Sequence, residues 1–272
     1  MKLDITKTMS APFTTLGESS LTSIYLIAFA FSFGAFLVQL ASNISFQFIE
    51  VMGKGIGDSA FSTGVIALAI IIALISFVAF IAVYAIPSGY IIETAKLEVY
   101  NRSAIMPSWT GNYGRFFWNG LKAIGIYVIY TIIMFAIIAI PTILIAALGG
   151  FAGASGSDIA GAGMGLAVIL YMIFFFLIMF GFMIFVPMAI VRFAAEGKFW
   201  SAFNILAILQ KIFGNILDFS LAIIFIILLI IILTIVVIGL VCTCVGILLV
   251  PLVQSFIFPI MALNLFAQVY KD

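Results

Sequence analysis

Histidine is absent from this chain of 272 residues, and charged residues are scarce. Aspartate, glutamate, lysine and arginine make up 8% of the sequence, whereas a soluble domain carries about 25%. Without histidine the chain lacks the commonest metal ligand and the usual proton carrier near neutral pH. The 11 basic and 10 acidic residues nearly balance, so the charge gives no indication of a nucleic-acid partner.

Cysteine is almost as rare, since only Cys242 and Cys244 occur. A Cys-x-Cys pair is too short to form a zinc site by itself, and it closes a disulfide only with strain. We interpret the two cysteines as small apolar residues near a helix end. The sequence therefore predicts no metal and no cofactor.

Apolar residues make up 66% of the chain and fill six long stretches. Each stretch is long enough to cross about 30 Å of hydrocarbon as a helix. The first is longer than the apolar core of a signal peptide, typically about 7–15 residues, so we expect it to be retained as a span. The sequence predicts an all-α membrane protein with a single polytopic domain, 1–272, and spans near 21–41, 64–86, 123–148, 165–190, 219–240 and 243–266.

A proline-containing segment recurs three times, at 86–100, 186–200 and 258–272. Each copy ends an apolar run with a proline, and an alanine follows eight residues later in every copy: Ala95, Ala195 and Ala267. Three such marks predict three similar units, each an antiparallel hairpin of two spans. The prolines either begin interfacial helices or kink the ends of the spans.

Basic residues collect on one side of this arrangement. The termini and the two long segments 87–122 and 191–218 hold ten of the eleven lysines and arginines, and only Lys54 lies opposite. The positive-inside rule makes that side cytoplasmic. We therefore expect a multi-pass protein of a cytoplasmic membrane, with both termini in the cytoplasm, a short N-terminal segment 1–20, and outer loops at 42–63 and 149–164.

The two long inner segments are predicted to contain interfacial helices. Apolar residues in the second recur at spacings of three and four, which is typical of a helix lying in the headgroup plane. These residues are Phe199, Phe203, Leu206, Leu209 and Phe213. All three tryptophans fall in the inner segments, where amphipathic rings favour the membrane–water boundary, so we predict anchoring roles for Trp109, Trp118 and Trp200.

Several short motifs in and after the first inner segment resemble a known family. They are PSGY at 87–90, MPSW at 106–109, FWNGL at 117–121, RFAAEG at 192–197 and LFAQVY at 265–270. Together they are similar to a family of prokaryotic integral-membrane proteins known as domain of unknown function 4013, over roughly residues 60–272. Met106 departs from the leucine expected there. The resemblance implies the membrane topology and no particular chemistry.

Candidate sites inside the bilayer are few. No carboxylate lies deep within a predicted span, and Glu93 sits just past one, at its inner boundary. We therefore expect no enzymatic activity. Polar residues concentrate in the first and last spans, where Gln39, Gln254 and Ser255 are candidates. Gln254 either joins two helices by a hydrogen bond, or belongs to a site for a small neutral or lipid-like ligand.

A second candidate site lies at the inner ends of the repeats. Lys96, Glu196 and Gln268 each directly follow the repeated alanine. If three hairpins pack around a pseudo-threefold axis, these side chains meet at the cytoplasmic mouth. The alternative is that the three are independent, solvated residues.

Two functions follow from these features. The first is a non-enzymatic scaffold, anchor or accessory subunit that lies in the lipid bilayer and serves a membrane-protein partner or a second copy of itself. Its basis is the contrast between dry spans and tryptophan-rich, basic inner segments. The alternative is a transporter or channel for a small neutral or lipid-like solute. A cavity that touches Gln39 or Gln254 would favour the alternative.

Overall fold

The computed structural model describes residues 4–13, 21–55, 59–100, 106–155, 158–243 and 246–271. These ranges contain nine α-helices and no β-strand. Two 3₁₀ turns, Ala11–Phe13 and Phe199–Phe203, and one π-helical turn, Val253–Ile257, complete the order. The helices are α1 Ile5–Ser10, α2 Leu21–Gly55, α3 Ser59–Val99, α4 Tyr113–Ser155, α5 Asp158–Glu196, α6 Ile205–Gly214, α7 Ile216–Val241, α8 Gly246–Leu252 and α9 Phe258–Lys271.

Six helical segments in this part of the chain are long and apolar enough to cross a membrane. They run through α2, α3, α4, α5 and α7, and through α8 together with α9. Their bounds are Leu21–Gln47, Ala67–Val99, Tyr113–Ala147, Gly163–Glu196, Ile216–Val241 and Leu248–Lys271. The prediction of an all-α chain with six helices long and apolar enough to span a membrane is confirmed.

The helices are longer than the predicted spans, because they extend into the stretches expected to be outer loops. Helix α2 continues to Gly55 and α3 begins at Ser59. Likewise, α4 continues to Ser155 and α5 begins at Asp158. Most of 42–63 and 149–164 is therefore helical, so the predicted extents of these two loops were wrong. Glycine and serine in these stretches disfavour a helix by only about 1 kcal/mol or less each, so they do not break it. The side chain of Lys54 lies outside the described residues.

Two of the three repeated prolines lie inside continuous helices. Pro87 is within α3 and Pro187 is within α5, whereas Pro259 is the second residue of α9, directly after the π turn. In the first two copies the residues after the proline therefore continue the spanning helix and begin no separate one. Packing against neighbouring helices supports such prolines.

Buried side chains concentrate at one end of the bundle, which we call the packed end. It consists of α1, the C-terminal parts of α3 and α5 beyond their prolines, residues 106–123, the 199–214 region and α9. One cluster contains Ile126, Phe193 and Phe266. The other contains Tyr90, Trp109, Phe116 and Phe256, and Leu263 borders both.

Two glycines allow α3 and α4 to touch backbone to backbone at the packed end. A Cβ atom added to Gly89 would lie 1.7 Å from the carbonyl oxygen of Phe116. One added to Gly120 would lie 1.7 Å from the carbonyl oxygen of Ala85. Because no side chain fits at either position, this crossing requires glycine on both helices.

Beyond the packed end, the spans expose their apolar side chains, and we call these parts of the spans the far spans. In α5 none of the most apolar 18-residue window is buried, and in α3 and α4 only 6% of that window is. Many of the exposed residues are isoleucine, leucine, valine, methionine and phenylalanine, and they include Leu74, Ile140, Ile143, Phe176 and Ile235. A surface of this kind suits hydrocarbon.

Neighbouring helices pack in a simple order. Helix α3 contacts both α2 and α4, α4 contacts α5, and α7 contacts α8. Helix α9 closes the packed end by contacting α3, α5 and α7. The grouping into three antiparallel hairpins, the single-domain organisation and the placement of interfacial helices on the cytoplasmic side stay predictions.

Candidate functional site

The residues predicted in the first and last spans line one cavity of about 360 Å³, which we call the amide groove. Helix α2 contributes Ser32 and Gln39, α3 contributes Tyr84, and the π turn contributes Gln254 and Ser255. The structure thus gathers all three predicted residues at one site, although more than two hundred positions separate Gln39 from Gln254. Its volume lies within the range of about 300–1,000 Å³ typical of small-molecule sites.

The π turn sets the orientation of the last span at this groove. It covers Val253–Ile257 and follows Pro251, which lacks the backbone N–H that an α-helix uses. The Ser255 hydroxyl donates a hydrogen bond to the Pro251 carbonyl oxygen. Single π turns inside helices are frequent at functional sites, because they widen the turn and redirect its side chains.

The polar atoms of the amide groove are largely unused. Gln39 and Gln254 make no hydrogen bond to another described residue, and the buried Ser32 hydroxyl has no partner. No carboxylate, amine or guanidinium lines the cavity. The groove therefore offers neutral donors and acceptors in an apolar setting, which suits an uncharged ligand. The predicted helix-joining hydrogen bond of Gln254 is not among the bonds of the described residues.

A smaller cavity of about 220 Å³ adjoins the other side of Gln254. It is lined mainly by aliphatic residues of α7, together with Val253 and Phe258. Thr234 also lines it, and its hydroxyl donates to the Ile230 carbonyl oxygen at 2.7 Å. Since that hydroxyl is already engaged within its own helix, this cavity has less capacity than the amide groove for polar recognition.

A second polar cluster, which we call the polar junction, joins α1, α3 and α9 at the packed end. Lys7 forms an ion pair with the buried Glu98, with 2.5 Å between the Lys7 amine and a Glu98 carboxylate oxygen. The Asp4 backbone N–H donates to the Gln268 side-chain oxygen at 3.0 Å, and the Gln268 amide nitrogen donates to the Thr8 hydroxyl at 3.0 Å. The N-terminal helix is therefore tied to both spans.

Several buried polar atoms near these helices lack a partner. One carboxylate oxygen of Glu98 and one of Glu93 are unpaired, as are both amide atoms of Asn264. The other oxygen of Glu93 lies 3.4 Å from the Arg115 guanidinium. Buried polar atoms usually have a partner, so water or a ligand would satisfy these groups.

Sequence analysis missed these three residues as candidates. Glu93 and Glu98 follow Pro87, in the segment predicted to lie outside the span, and only Glu93 was noted, at the inner boundary. The available indication was their presence, with Thr94 between them, in the continuation of an apolar helix. Asn264 lies one helical turn before Gln268 and therefore shares its face of α9.

The predicted mouth residues have other partners. Glu196 pairs with Arg192 one turn earlier in α5, with 2.9 Å between the guanidinium and carboxylate atoms. Gln268 bonds the N-terminal helix, as described above. No described contact joins Lys96, Glu196 and Gln268 to one another.

The three tryptophans occupy two kinds of environment. Trp109 is only 2% exposed and stacks on Tyr90, with 4.2 Å between the ring centroids. It therefore packs in the protein core and not among headgroups. Trp118 and Trp200 are 61% and 77% exposed, which suits the anchoring role predicted for them.

Metal-ligand geometry is not found in the described part of the chain. Among those residues no group of three or more histidine, cysteine, aspartate or glutamate side chains is placed to hold an ion.

Three motifs of the predicted family, PSGY, MPSW and FWNGL, meet in one place. Gly89 and Gly120 make the helix crossing described above, and the Tyr90 hydroxyl donates to the Pro107 carbonyl oxygen at 2.8 Å. A family model described as "Protein of unknown function (DUF4013)" matches residues 72–244. This chain belongs to that family. The resemblance inferred from the motifs is thus confirmed, over a somewhat shorter range than the expected 60–272.

Membership in DUF4013 brings no established activity. Comparisons with curated proteins and with solved structures gave no match. Some motif residues of this DUF4013 protein form part of its core, since Met106 and Trp109 are buried beside Tyr90 in the second core cluster. The amide groove includes Tyr84, which lies inside the matched range, and Gln39 and Gln254, which lie outside it.

Proposed function

We propose that this DUF4013 protein is a non-enzymatic integral membrane protein that binds a small neutral or lipid-like molecule in the amide groove, as a transporter or carrier would. The observation that carries the proposal is the meeting of Gln39 and Gln254 in one uncharged cavity. Two unbonded amides facing such a cavity supply hydrogen bonds without the desolvation cost of a charge. An ion-coupled or catalytic site would instead require an ionisable group at the cavity.

Ligand-dependent thermal stabilisation tests this proposal. We expect monoacylglycerol, an uncharged amphiphile, to raise the melting temperature of the purified protein in mild detergent, because it binds only the folded state. Gln39→Leu combined with Gln254→Leu should abolish most of that rise, whereas Gln47→Leu, on the same helix but outside the cavity, should retain it. An equal rise in all three proteins would contradict the proposal.

The orientation is part of the same proposal. We place the packed end, with both termini and the segments 87–122 and 191–218, in the cytoplasm of a prokaryotic cell, and we group the spans as three antiparallel hairpins. Ten of eleven basic residues on that side support it. Protease added to intact cells should leave the segment near Arg102 uncut and should cleave it in inverted vesicles. Cleavage from outside would reverse the orientation.

A scaffold or accessory role is the second candidate, and one surface favours it. At the packed end and directly after it, the 199–217 region exposes large apolar side chains: Trp200, Leu206, Phe213 and Leu217. Ile208 and Ile212 are buried on the opposite face of α6, so the apolar surface is available to headgroups or to a membrane partner.

Native pull-down distinguishes a protein partner on this surface from lipid headgroups. A scaffold should co-purify with one defined protein after gentle solubilisation, and Leu206→Ser with Leu217→Ser should release it. Matched changes on the far spans, such as Ile140→Ser with Ile143→Ser, should leave the partner bound. Absence of a stoichiometric partner in wild-type preparations would remove this candidate.

A further inference from the structure

A larger cavity of about 510 Å³ lies on the other side of α3, between α3 and α4, and we call it the α3–α4 cleft. Residues of α5 and α9 close its inner end: Ile190, Pro259 and Leu263. It shares Phe80 and Tyr84 with the amide groove, and otherwise its lining is separate.

The cleft is longer than the hydrocarbon of one leaflet. Its lining on α3 runs from Phe77 to Ile92, about fifteen residues and therefore about 22 Å along the helix. One leaflet contributes about 15 Å of hydrocarbon. The cleft is therefore long enough to hold the part of an acyl chain that fills one leaflet.

The lining is continuous with the lipid-facing surface of the spans. Phe77, Tyr127 and Val128 line the cleft and are also exposed on its rim, so a molecule can enter sideways from the bilayer. No charged residue lines it. Burial of an acyl chain here is favourable by shape and dispersion contacts, and a charged headgroup would remain outside the cavity.

Three hydroxyl-bearing residues interrupt the apolar lining: Tyr84, Ser88 and Tyr127. The Ser88 hydroxyl donates to the Tyr84 carbonyl oxygen at 2.8 Å, so it is not free to donate elsewhere. The Tyr127 hydroxyl makes no hydrogen bond to another described residue. The Tyr127 side chain is 52% exposed at the rim of the cleft, so its hydroxyl can donate to a ligand that supplies an acceptor.

We infer that the α3–α4 cleft binds a membrane glycerolipid, with one acyl chain along α3 and an ester carbonyl oxygen accepting a hydrogen bond from the Tyr127 hydroxyl. The site is distinct from the amide groove. Its ligand class is an ester-linked bilayer lipid, recognised through the carbonyl oxygen and not through headgroup charge.

Native mass spectrometry of the purified full chain, with diacyl phosphatidylcholine and its dialkyl ether analogue as competing probes, tests the inference. The ether lipid keeps the chains and the headgroup but lacks the carbonyl oxygen. We expect wild-type protein to prefer the ester lipid by about three- to tenfold, as one hydrogen bond allows. Tyr127→Phe should bring the ratio close to one, and Tyr171→Phe, a phenol on α5 outside the cleft, should not.

A bulky substitution that blocks the cleft provides a second test. Ile124→Trp fills the cleft and should remove the lipid adduct, whereas Ile143→Trp, exposed on the same helix and outside the cleft, should keep it. Because the Ile124 change can disturb folding, the Tyr127 variant decides if the block variant is not monodisperse. Equal ester and ether binding in wild type would overturn the inference. Adducts should persist in the Gln39→Leu, Gln254→Leu protein, so failure here and failure of the proposed function are distinguishable.

Discussion

The packed end and the far spans are built from the same apolar residue types, but only the packed end is a tight protein core. In the far spans, helices present isoleucine, leucine and phenylalanine to lipid. Lipid tails are as apolar as these side chains, so burying them against another helix gains little. At the packed end, glycines, a polar junction and stacked aromatics hold the helices together. The difference teaches that contact chemistry, and not hydrophobicity, sets where this bundle is tight.

The sharpest test of that difference adds a side chain at the glycine crossing. Gly89→Leu places atoms where the Phe116 carbonyl already lies, so α3 and α4 must separate. We expect loss of monodisperse protein, a destabilisation above about 3 kcal/mol. Gly181→Leu, in a far span where an added Cβ meets nothing within 4 Å, is the control and should purify normally. Size-exclusion chromatography measures both.

Removing one core aromatic should come next in size. Phe256 is fully buried among Tyr25, Tyr90 and Trp109, so Phe256→Ala should lower the free energy of unfolding by about 3–5 kcal/mol. Phe176→Ala, exposed in α5, should change it by less than about 1 kcal/mol, since lipid replaces the ring. Denaturant titration in detergent compares the two. Equal losses would mean that the far spans are as tightly packed as the core.

The polar junction should give a somewhat smaller effect, with a diagnostic pattern. Lys7→Met leaves Glu98 buried without its cation, and we expect a loss of about 3 kcal/mol. Lys7→Met with Glu98→Met removes both charges and should recover most of that loss. A double variant no more stable than the single one would show that the ion pair does not hold the N-terminal helix.

A single buried hydrogen bond should give the smallest effect. The Tyr130 hydroxyl donates to the Ala202 carbonyl oxygen at 2.7 Å within the packed end. Tyr130→Phe should reduce the free energy of unfolding by about 1 kcal/mol. Tyr171→Phe breaks the exposed contact with Thr142 and should lower it by about 0.6 kcal/mol or less. A larger loss for the α5 variant would contradict a loosely held far region.

Sequence patterns predicted the architecture because the bilayer imposes strong rules on composition. Long apolar runs gave the six spans, and short motifs gave the family. Most of 149–164, expected to be a loop, is helical, because glycine and serine only weakly oppose a helix that is already formed. Trp109 was assigned to the interface because residue type alone does not distinguish a core tryptophan from an anchoring one.

The candidate sites were likewise predictable only in part from the sequence. Gln39 and Gln254 could be selected from the sequence because amides are rare in apolar spans. Their shared cavity could not, because it depends on how α2, α3 and the π turn pack. Glu98 lies in the segment 87–122 that was predicted to be outside the spans, and only the fold shows that Lys7, ninety-one positions earlier, pairs with it.

By itself the sequence determined that the chain is a six-span helical membrane protein of a particular family, since hydrocarbon tolerates few other ways of satisfying a backbone. Only the tertiary structure decided which polar groups are buried, which cavities exist and which tryptophan is core. Those properties arise from contacts between residues far apart in the chain, and such contacts leave no local pattern.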